Sequence, residues 1–285
     1  MALLDTTWGK ACAGAGIALG LLLVVDGMLQ ISGFGASELY EGDPNTAWWL
    51  RPDLDVEIDG PESSFHLQTN SLGLRGSLPP QEGDWTLALG CSTTLGWGVE
   101  ADEAWPAQLS TLIGEPVVNG GQPGWSTHQA VAHAETWLEL GPSRVIIGYI
   151  IRDAQHASRP DSAANASPWW SRSGLMGLLR HARGRTEMPH AVGSVDSSRV
   201  PPSAYRDNLA RLIEMSGDAE VILLSFPHQE AMTDWERVQS ELGRTWAPRL
   251  EDEAFFASDP IHLSADGHRQ LAEWMATELK KNPGT

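Results

Sequence analysis

The chain has 285 residues, 41% of them hydrophobic and 20% charged, and a formal net charge of −18. This is the composition of a folded globular protein, not a disordered one. The acidic excess excludes a nucleic-acid partner, which needs a basic face to neutralise phosphates. Cys12 lies in an apolar N-terminal run and Cys91 at a predicted strand end, so the two do not make a disulfide framework.

Residues 11–25 read ACAGAGIALGLLLVV, without charge and preceded by Lys10. The run is shorter than the roughly 20 residues of a spanning helix, but GMLQISG extends it past Asp26. An uncleaved membrane anchor and a cleaved signal peptide are both open readings. No small-x-small cleavage site stands out and no lipobox precedes Cys12, which favours the anchor. Lys10 on the inner side would place everything from Glu38 onward outside the cytoplasm. We therefore divide the chain into an anchor or signal segment (1–37), an extended segment packed on the main domain (38–84), and a main domain (85–285) with an insertion at about 155–200.

Residues 38–80 are rich in turn formers, and NSLGLRG at 70–76 reads as a turn that pins this segment to the main domain. From Trp85 short apolar runs alternate with longer periodic ones. TLALG predicts a strand, 105–113 a helix, and PVVNG a second strand. Residues 127–140 predict a helix with Ala130, Ala134, Trp137 and Leu138 on one face, and RVIIGYII at 144–151 a third strand. A helix over 203–215, a strand in EVILLSF and a last helix over 263–279, capped by Ser264, follow. The alternation predicts an α/β fold with a parallel sheet and helices on both faces. Catalytic groups in such sheets gather beyond the carboxyl ends of the strands, where the Gly90-Cys91-Ser92 turn lies. The insertion breaks the pattern. It is polar, holds His156, His181 and His190, and contains WWSRSGLMGLLRHARGR, an amphipathic helix candidate. A lid, a patch touching a membrane surface and a plain surface insertion remain open for it.

Asp259 and His262 are three apart, just before the last predicted helix. A carboxylate so placed accepts a hydrogen bond from one imidazole nitrogen and leaves the other to take a proton from a hydroxyl. Ser92 is a poor nucleophile without such a base. Alone, a serine after a strand is usually a helix cap and Asp-x-x-His a surface turn; together and in this order they point to nucleophilic catalysis. Cys91 is the alternative nucleophile. His128 and His133 share a predicted helix with no third ligand at metal spacing, so no metal is expected. No Gly-rich phosphate loop is present and no cofactor is expected. His228, in SFPHQE, reads equally as lining a site mouth or as a cap.

With these motifs the chain resembles the SGNH, or GDSL-type, hydrolase superfamily, and within it bacterial membrane-anchored members, over most of residues 43–279. The first block matches GCSTTLGWGV at 90–99, which puts Ser92 on the nucleophile. The second matches NGGQPGWST, with Gly121 on the glycine whose N–H helps form the oxyanion hole; the last matches Asp259-Pro260-Ile261-His262. The resemblance implies a three-layer α/β/α sandwich, flavodoxin-like, with a central parallel sheet. It further implies a Ser92, His262, Asp259 triad and an oxyanion hole of Ser92, Gly121 and Arg152. Two departures stand out. Cys91 replaces the Asp usual before the serine, and Ile151-Arg152-Asp153 replaces the usual Asn-Asp, so Arg152 stands where an amide donor is expected. Losing one such donor costs on the order of 10²–10³ in rate. An arginine can donate in its place or bind an anionic group of the substrate. Trp97 and Trp125 follow the first two blocks and are the candidates for a substrate platform. The implied activity is extracytoplasmic hydrolysis of acyl esters, including O-acetyl esters, of a carbohydrate or lipid. An O-acyltransferase acting on a cell-surface glycan and a catalytically weak glycan-binding relative remain the alternatives.

Overall fold

The computed structural model describes residues 7–31, 39–41, 48–157, 160–163, 173–182, 198–227 and 232–281. The chain forms two compact units, one of residues 1–41 with 167–189 and one of 42–166 with 190–285. The first unit holds helix α1 (Thr7–Ile31), the two-residue strand β1 (Tyr40–Glu41) and helix α7 (Gly174–Ala182). Within α1, Lys10–Leu29 has a mean hydropathy of 2.0 and is not buried. It is long and apolar enough to cross a membrane by length and composition. Asp26, the one acid in α1, accepts hydrogen bonds from Ser173 Oγ at 2.5 Å and Leu175 N at 2.9 Å, and so caps the start of α7.

The second unit begins with β2 (Trp49–Leu50) and a hairpin of β3 (Asp55–Asp59) and β4 (Ser64–Gln68), paired antiparallel from Asp55↔Gln68 to Asp59↔Ser64. Phe65 and Leu67 point into the core while Ser64, His66 and Gln68 face out, the period of two a half-buried strand requires. Next come β5 (Thr86–Gly90), α2 (Ser92–Leu95), α3 (Trp105–Ile113), β6 (Val117–Gly121), α4 (Thr127–His133), α5 (Glu135–Leu138), β7 (Arg144–Gly148) and α6 (Ile150–Ala154). After the insertion follow α8 (Pro202–Met215), β8 (Glu220–Leu224), α9 (Thr233–Leu242), β9 (Arg244–Trp246), β10 (Phe255–Phe256), β11 (Asp259–Leu263) and α10 (Ala265–Lys281).

Five parallel strands form the central sheet in the order β6-β5-β7-β8-β9. Every residue of β5 is buried, as expected of a strand flanked by neighbours and covered on both faces. α3 packs with α10, and α4, α8 and α9 pack together as a second helical group. The fold is the expected α/β sandwich. The chain leaves β5 to one side for β6 and crosses back for β7, so the crevice at the carboxyl end of β5 is a topological switch point.

Two predicted elements differ. The helix expected over 127–140 is interrupted at Ala134, which ends α4 and starts α5. The strand expected over 144–151 ends at Gly148, and Ile150 and Ile151 turn into α6. A continuous apolar run cannot by itself separate strand from buried helix. The two legs of the insertion are joined at their base. Arg199 N donates to Gln155 O at 2.8 Å, and the buried Arg199–Asp161 ion pair closes at 2.8 Å. Ser126 Oγ donates to the same Asp161 carboxylate at 2.6 Å. His181 lies on α7, whereas Trp169, Trp170, His190 and His228 lie outside the described residues.

Candidate active site

The serine is placed by a tight exit from β5. A Cβ on Gly90 would sit 1.9 Å from Thr94 Oγ1, so only glycine lets the chain turn this sharply into α2. Cys91, extended at φ −91°, ψ −155°, is the residue before the helix and makes no side-chain cap bond. Its Sγ lies 3.2 Å from Thr93 Oγ1. The first amides of α2, Ser92 N–H and Thr93 N–H, therefore have no capping side chain. From beneath, the buried Arg75 guanidinium donates to Leu95 O, Gly96 O and Val99 O at 2.7–2.8 Å and to His66 O at 3.0 Å. Burial lowers the pKa of Arg75 to about 10, which leaves it charged at neutral pH. Arg75, in the NSLGLRG turn, thus ties this turn to the backbone at 95–99.

His262 and Asp259 reach the same place on β11. Asp259 Oδ1 accepts from Ile261 N at 3.0 Å and His262 N at 3.4 Å, while Oδ2 lies 2.6 Å from His262 Nδ1. That hydrogen bond, foremost, holds the Asp259 carboxyl down to about 2, so Asp259 is an acceptor and Nδ1 carries the proton. Nε2 is then the imidazole's free lone pair, and it lies 2.8 Å from Ser92 Oγ. Arg152 Nη2 donates to the same Oγ at 3.0 Å. One hydroxyl can donate to His262 and accept from Arg152 at once. Ser92 is fully buried and His262 nearly so; the serine lies at the carboxyl end of the sheet, under Arg152.

The structure brings Ser92, His262, Asp259 and Arg152 together and places the other expected residues elsewhere. Gly121 does not fit the oxyanion role: its N–H donates to Asn119 Oδ1 at 3.0 Å. A Cβ there would lie 2.2 Å from Leu95 N, so Gly121 is the residue that lets α2 sit against β6. A nearby amide is open instead. Gln122 N donates to Gly90 O at 2.9 Å, which holds the turn 122–125 beside the β5 exit. Within that turn the Gly124 N–H has no hydrogen-bond partner among the described residues. Gly121 ends β6 while Gly124 stands in the turn after it, a boundary that the glycine-rich sequence does not mark.

Trp125 is fully buried and donates from Nε1 to Trp48 O at 2.7 Å. It stacks on Trp137 with ring centroids 6.0 Å apart, and Trp48 Nε1 donates to Pro123 O at 2.9 Å. These indoles fasten the extended segment to α4 and α5, so Trp125 has a packing role here, not that of a surface platform. Trp97 is half-buried and meets Phe65 edge-on at 5.4 Å. His133 stacks on Trp49 at 4.9 Å and meets Trp125 and Trp137 edge-on.

Asp153 and His268 are also buried. Desolvation pushes Asp153 up to about 8, against hydrogen bonds from Thr127 N and Oγ1. Desolvation lowers His268 to about 3, and its Nδ1 accepts from Trp105 N at 3.1 Å at the start of α3.

No protein-family model matches the chain, and no curated protein sequence does. Solved structures match in fold. The lipase/acylhydrolase from Enterococcus faecalis is 18% identical at a TM-score of 0.46, over 70% of this chain and 97% of its own. A putative lipolytic protein of the G-D-S-L family from Desulfitobacterium hafniense is 15% identical at 0.45, over 68% and 99%. An acetyl xylan esterase from Butyrivibrio proteoclasticus is 14% identical at 0.46, over 74% of this chain and 66% of its own. Identities and scores in this range describe a likeness of fold, and the chemistry is read from the geometry above.

Proposed function

We propose that this chain is an SGNH/GDSL-type serine ester hydrolase, anchored in a membrane by α1 with its catalytic unit on the outer side. One observation carries the proposal: His262 Nε2 lies 2.8 Å from Ser92 Oγ while its Nδ1 is held 2.6 Å from Asp259 Oδ2. This is a nucleophile, a base and an orienting carboxylate in working order.

In the proposed reaction Ser92 Oγ attacks the ester carbonyl and His262 Nε2 takes the hydroxyl proton. Asp259 stabilises the imidazolium. The carbonyl oxygen, now negative, receives hydrogen bonds from the Ser92 and Gly124 N–H groups and from Arg152, whose Nη2 leaves the serine oxygen as the substrate enters. The tetrahedral intermediate collapses, His262 returns the proton to the departing alcohol, and an acyl-serine remains. Water then attacks with the same base, and the acid is released. The serine's burial under Arg152 means that substrate entry and the guanidinium's move are one event. The substrate class we propose is acyl esters, O-acetyl among them, of a carbohydrate or lipid.

The test is labelling of the protein with a serine-directed phosphonate, together with turnover of 4-nitrophenyl acetate. A label on Ser92 that disappears in Ser92→Ala, with turnover lost in Ser92→Ala and His262→Ala, supports the reading. No label and no turnover above those variants rejects it.

A further inference from the structure

We infer that the ester taken at this site carries an anionic group, a carboxylate or a phosphate, close to the scissile carbonyl, and that Arg152 binds it; the inference rests on the hydrolase reading above. The motivating observation is a charge without a counter-charge. Arg152 is 9% exposed. It donates from Nη2 to Ser92 Oγ at 3.0 Å and from Nη1 to Gln155 Oε1 at 3.1 Å, and Nε has no partner. Both partners are neutral, and among the described residues no carboxylate pairs with it.

Elsewhere among the described residues, arginines that are largely buried have carboxylates at hand. Arg199 pairs with Asp161, Arg144 with Glu115 and Glu220, and Arg249 with Glu236. Arg75 fills its two terminal nitrogens with four backbone carbonyls instead. In a chain with a net charge of −18, acids are plentiful, yet Arg152 meets none among the described residues. A desolvated guanidinium held this way is costly unless an anion joins it.

The surroundings have room for one. Arg152 lines a cleft of about 130 Å³ with Ile151, Ala154, Gln155, Met232 and Ile261. Arg152, one wall of the cleft, also donates to Ser92 Oγ at 3.0 Å, so the cleft adjoins the nucleophile. Its other walls are mostly apolar, and Arg152 is the charged residue in it. Stabilising an oxyanion asks for one neutral donor. A guanidinium adds a full charge and a planar fork that suits a carboxylate or phosphate, and the unused Nε donor is part of that fork.

The experiment compares matched esters on the full chain in detergent. For an anion on the acyl side the pair is 4-nitrophenyl hemisuccinate against its methyl ester. For an anion on the alcohol side it is 4-acetoxybenzoate against methyl 4-acetoxybenzoate. The expected result is a kcat/KM ratio of roughly tenfold or more in favour of the anionic member of one pair. That ratio should shrink toward one in Arg152→Gln and be partly kept in Arg152→Lys. Equal rates within both pairs, or a ratio unchanged in Arg152→Gln, overturn the inference while leaving the hydrolase reading intact. Binding of the same esters to Ser92→Ala by calorimetry needs no turnover. Arg152-dependent preference for the anionic ester there, with no ester hydrolysed by the unaltered protein, would keep the anion site and remove the hydrolase reading.

Discussion

Oδ2 of Asp259 lies 2.6 Å from Nδ1 of His262, and this contact decides which imidazole nitrogen faces the serine. With the proton fixed on Nδ1, Nε2 accepts from Ser92 Oγ. Asp259→Asn keeps the shape but can present its amide N–H₂ to Nδ1, which moves the ring proton to Nε2 and points it at the hydroxyl. We expect kcat for 4-nitrophenyl acetate to fall on the order of 10⁴ with KM little changed. Asp259 itself stays ionised down to about pH 2, so loss of activity between pH 7 and 4 is not its titration. A drop of only a few fold in Asp259→Asn would remove Asp259 from the mechanism.

Arg75 and the short helix that carries the serine form the second dependency. Removing its guanidinium takes a hydrogen bond from the carbonyls of Leu95, Gly96, Val99 and His66; Leu95 O keeps Asn119 Nδ2 and Gly96 O keeps Val99 N, while the buried Val99 O loses its side-chain donor. An unsatisfied buried acceptor costs ~1–3 kcal/mol, so Arg75→Met should lose at least that much in urea unfolding. Arg75→Lys should fall between, since one ammonium cannot span the fork. A stability within ~0.5 kcal/mol of the original protein, the range of an ordinary surface substitution, would show that Arg75 does not hold α2.

Much of this architecture is legible in the residue pattern, and the reason is periodicity. TLALG, PVVNG and EVILL are short apolar runs between turn residues, and they became β5, β6 and β8. The helix over 105–113 is α3 to the residue. What periodicity cannot carry is direction and partner. Gly121 and Gly124 look alike in NGGQPGWST, and the Asn119 side chain, by taking one amide, tells them apart. Trp125 in a loop reads as an exposed platform, while its indole is buried against Trp137. Arg152 reads as a missing Asn; that its guanidinium lies on the serine oxygen depends on the turn of α6 after β7. The strands β9 and β10, of three and two residues, are too short for any period to show, and β11 opens on Asp-Pro, which reads as a turn.

Gly121 tests the corrected assignment. A methyl group there meets Leu95 backbone at 2.2 Å, a contact that flexible side chains cannot relieve. Gly121→Ala should displace α2, lose ~1–3 kcal/mol or more by overpacking, and lower turnover together with stability. An Asn119→Ala change frees the Gly121 N–H without crowding. If Gly121 donated to the oxyanion, that variant would keep or gain turnover per folded molecule; we expect no gain, with the loss tracking stability instead.

The last prediction concerns pH, where Asp153 and His268 act in opposite directions. Asp153 has its folded pKa raised to about 8, so the folded state holds a proton that the unfolded chain loses near pH 4. Its effect is to reduce stability as pH rises from about 4 to 8. His268 has its folded pKa lowered to about 3. The unfolded chain takes up that proton below about 6.5, so this group reduces stability as pH falls from 6.5 to 3. Between about 4 and 6.5 the two slopes cancel, and from 6.5 to 8 only the Asp153 slope, ~1.4 kcal/mol per pH unit at most, remains of the pair. Asp153→Asn can still accept from Thr127 N and donate to Thr127 Oγ1, and should flatten the alkaline side and raise the melting temperature at pH 8. His268→Asn preserves an acceptor for Trp105 N and removes the opposing slope, so stability in that variant should fall from about pH 4 upward instead of staying level to 6.5. Melting curves from pH 4 to 8 check both; an Asp153→Asn protein that parallels the original above pH 6.5 would mean that Asp153 is ionised in the fold.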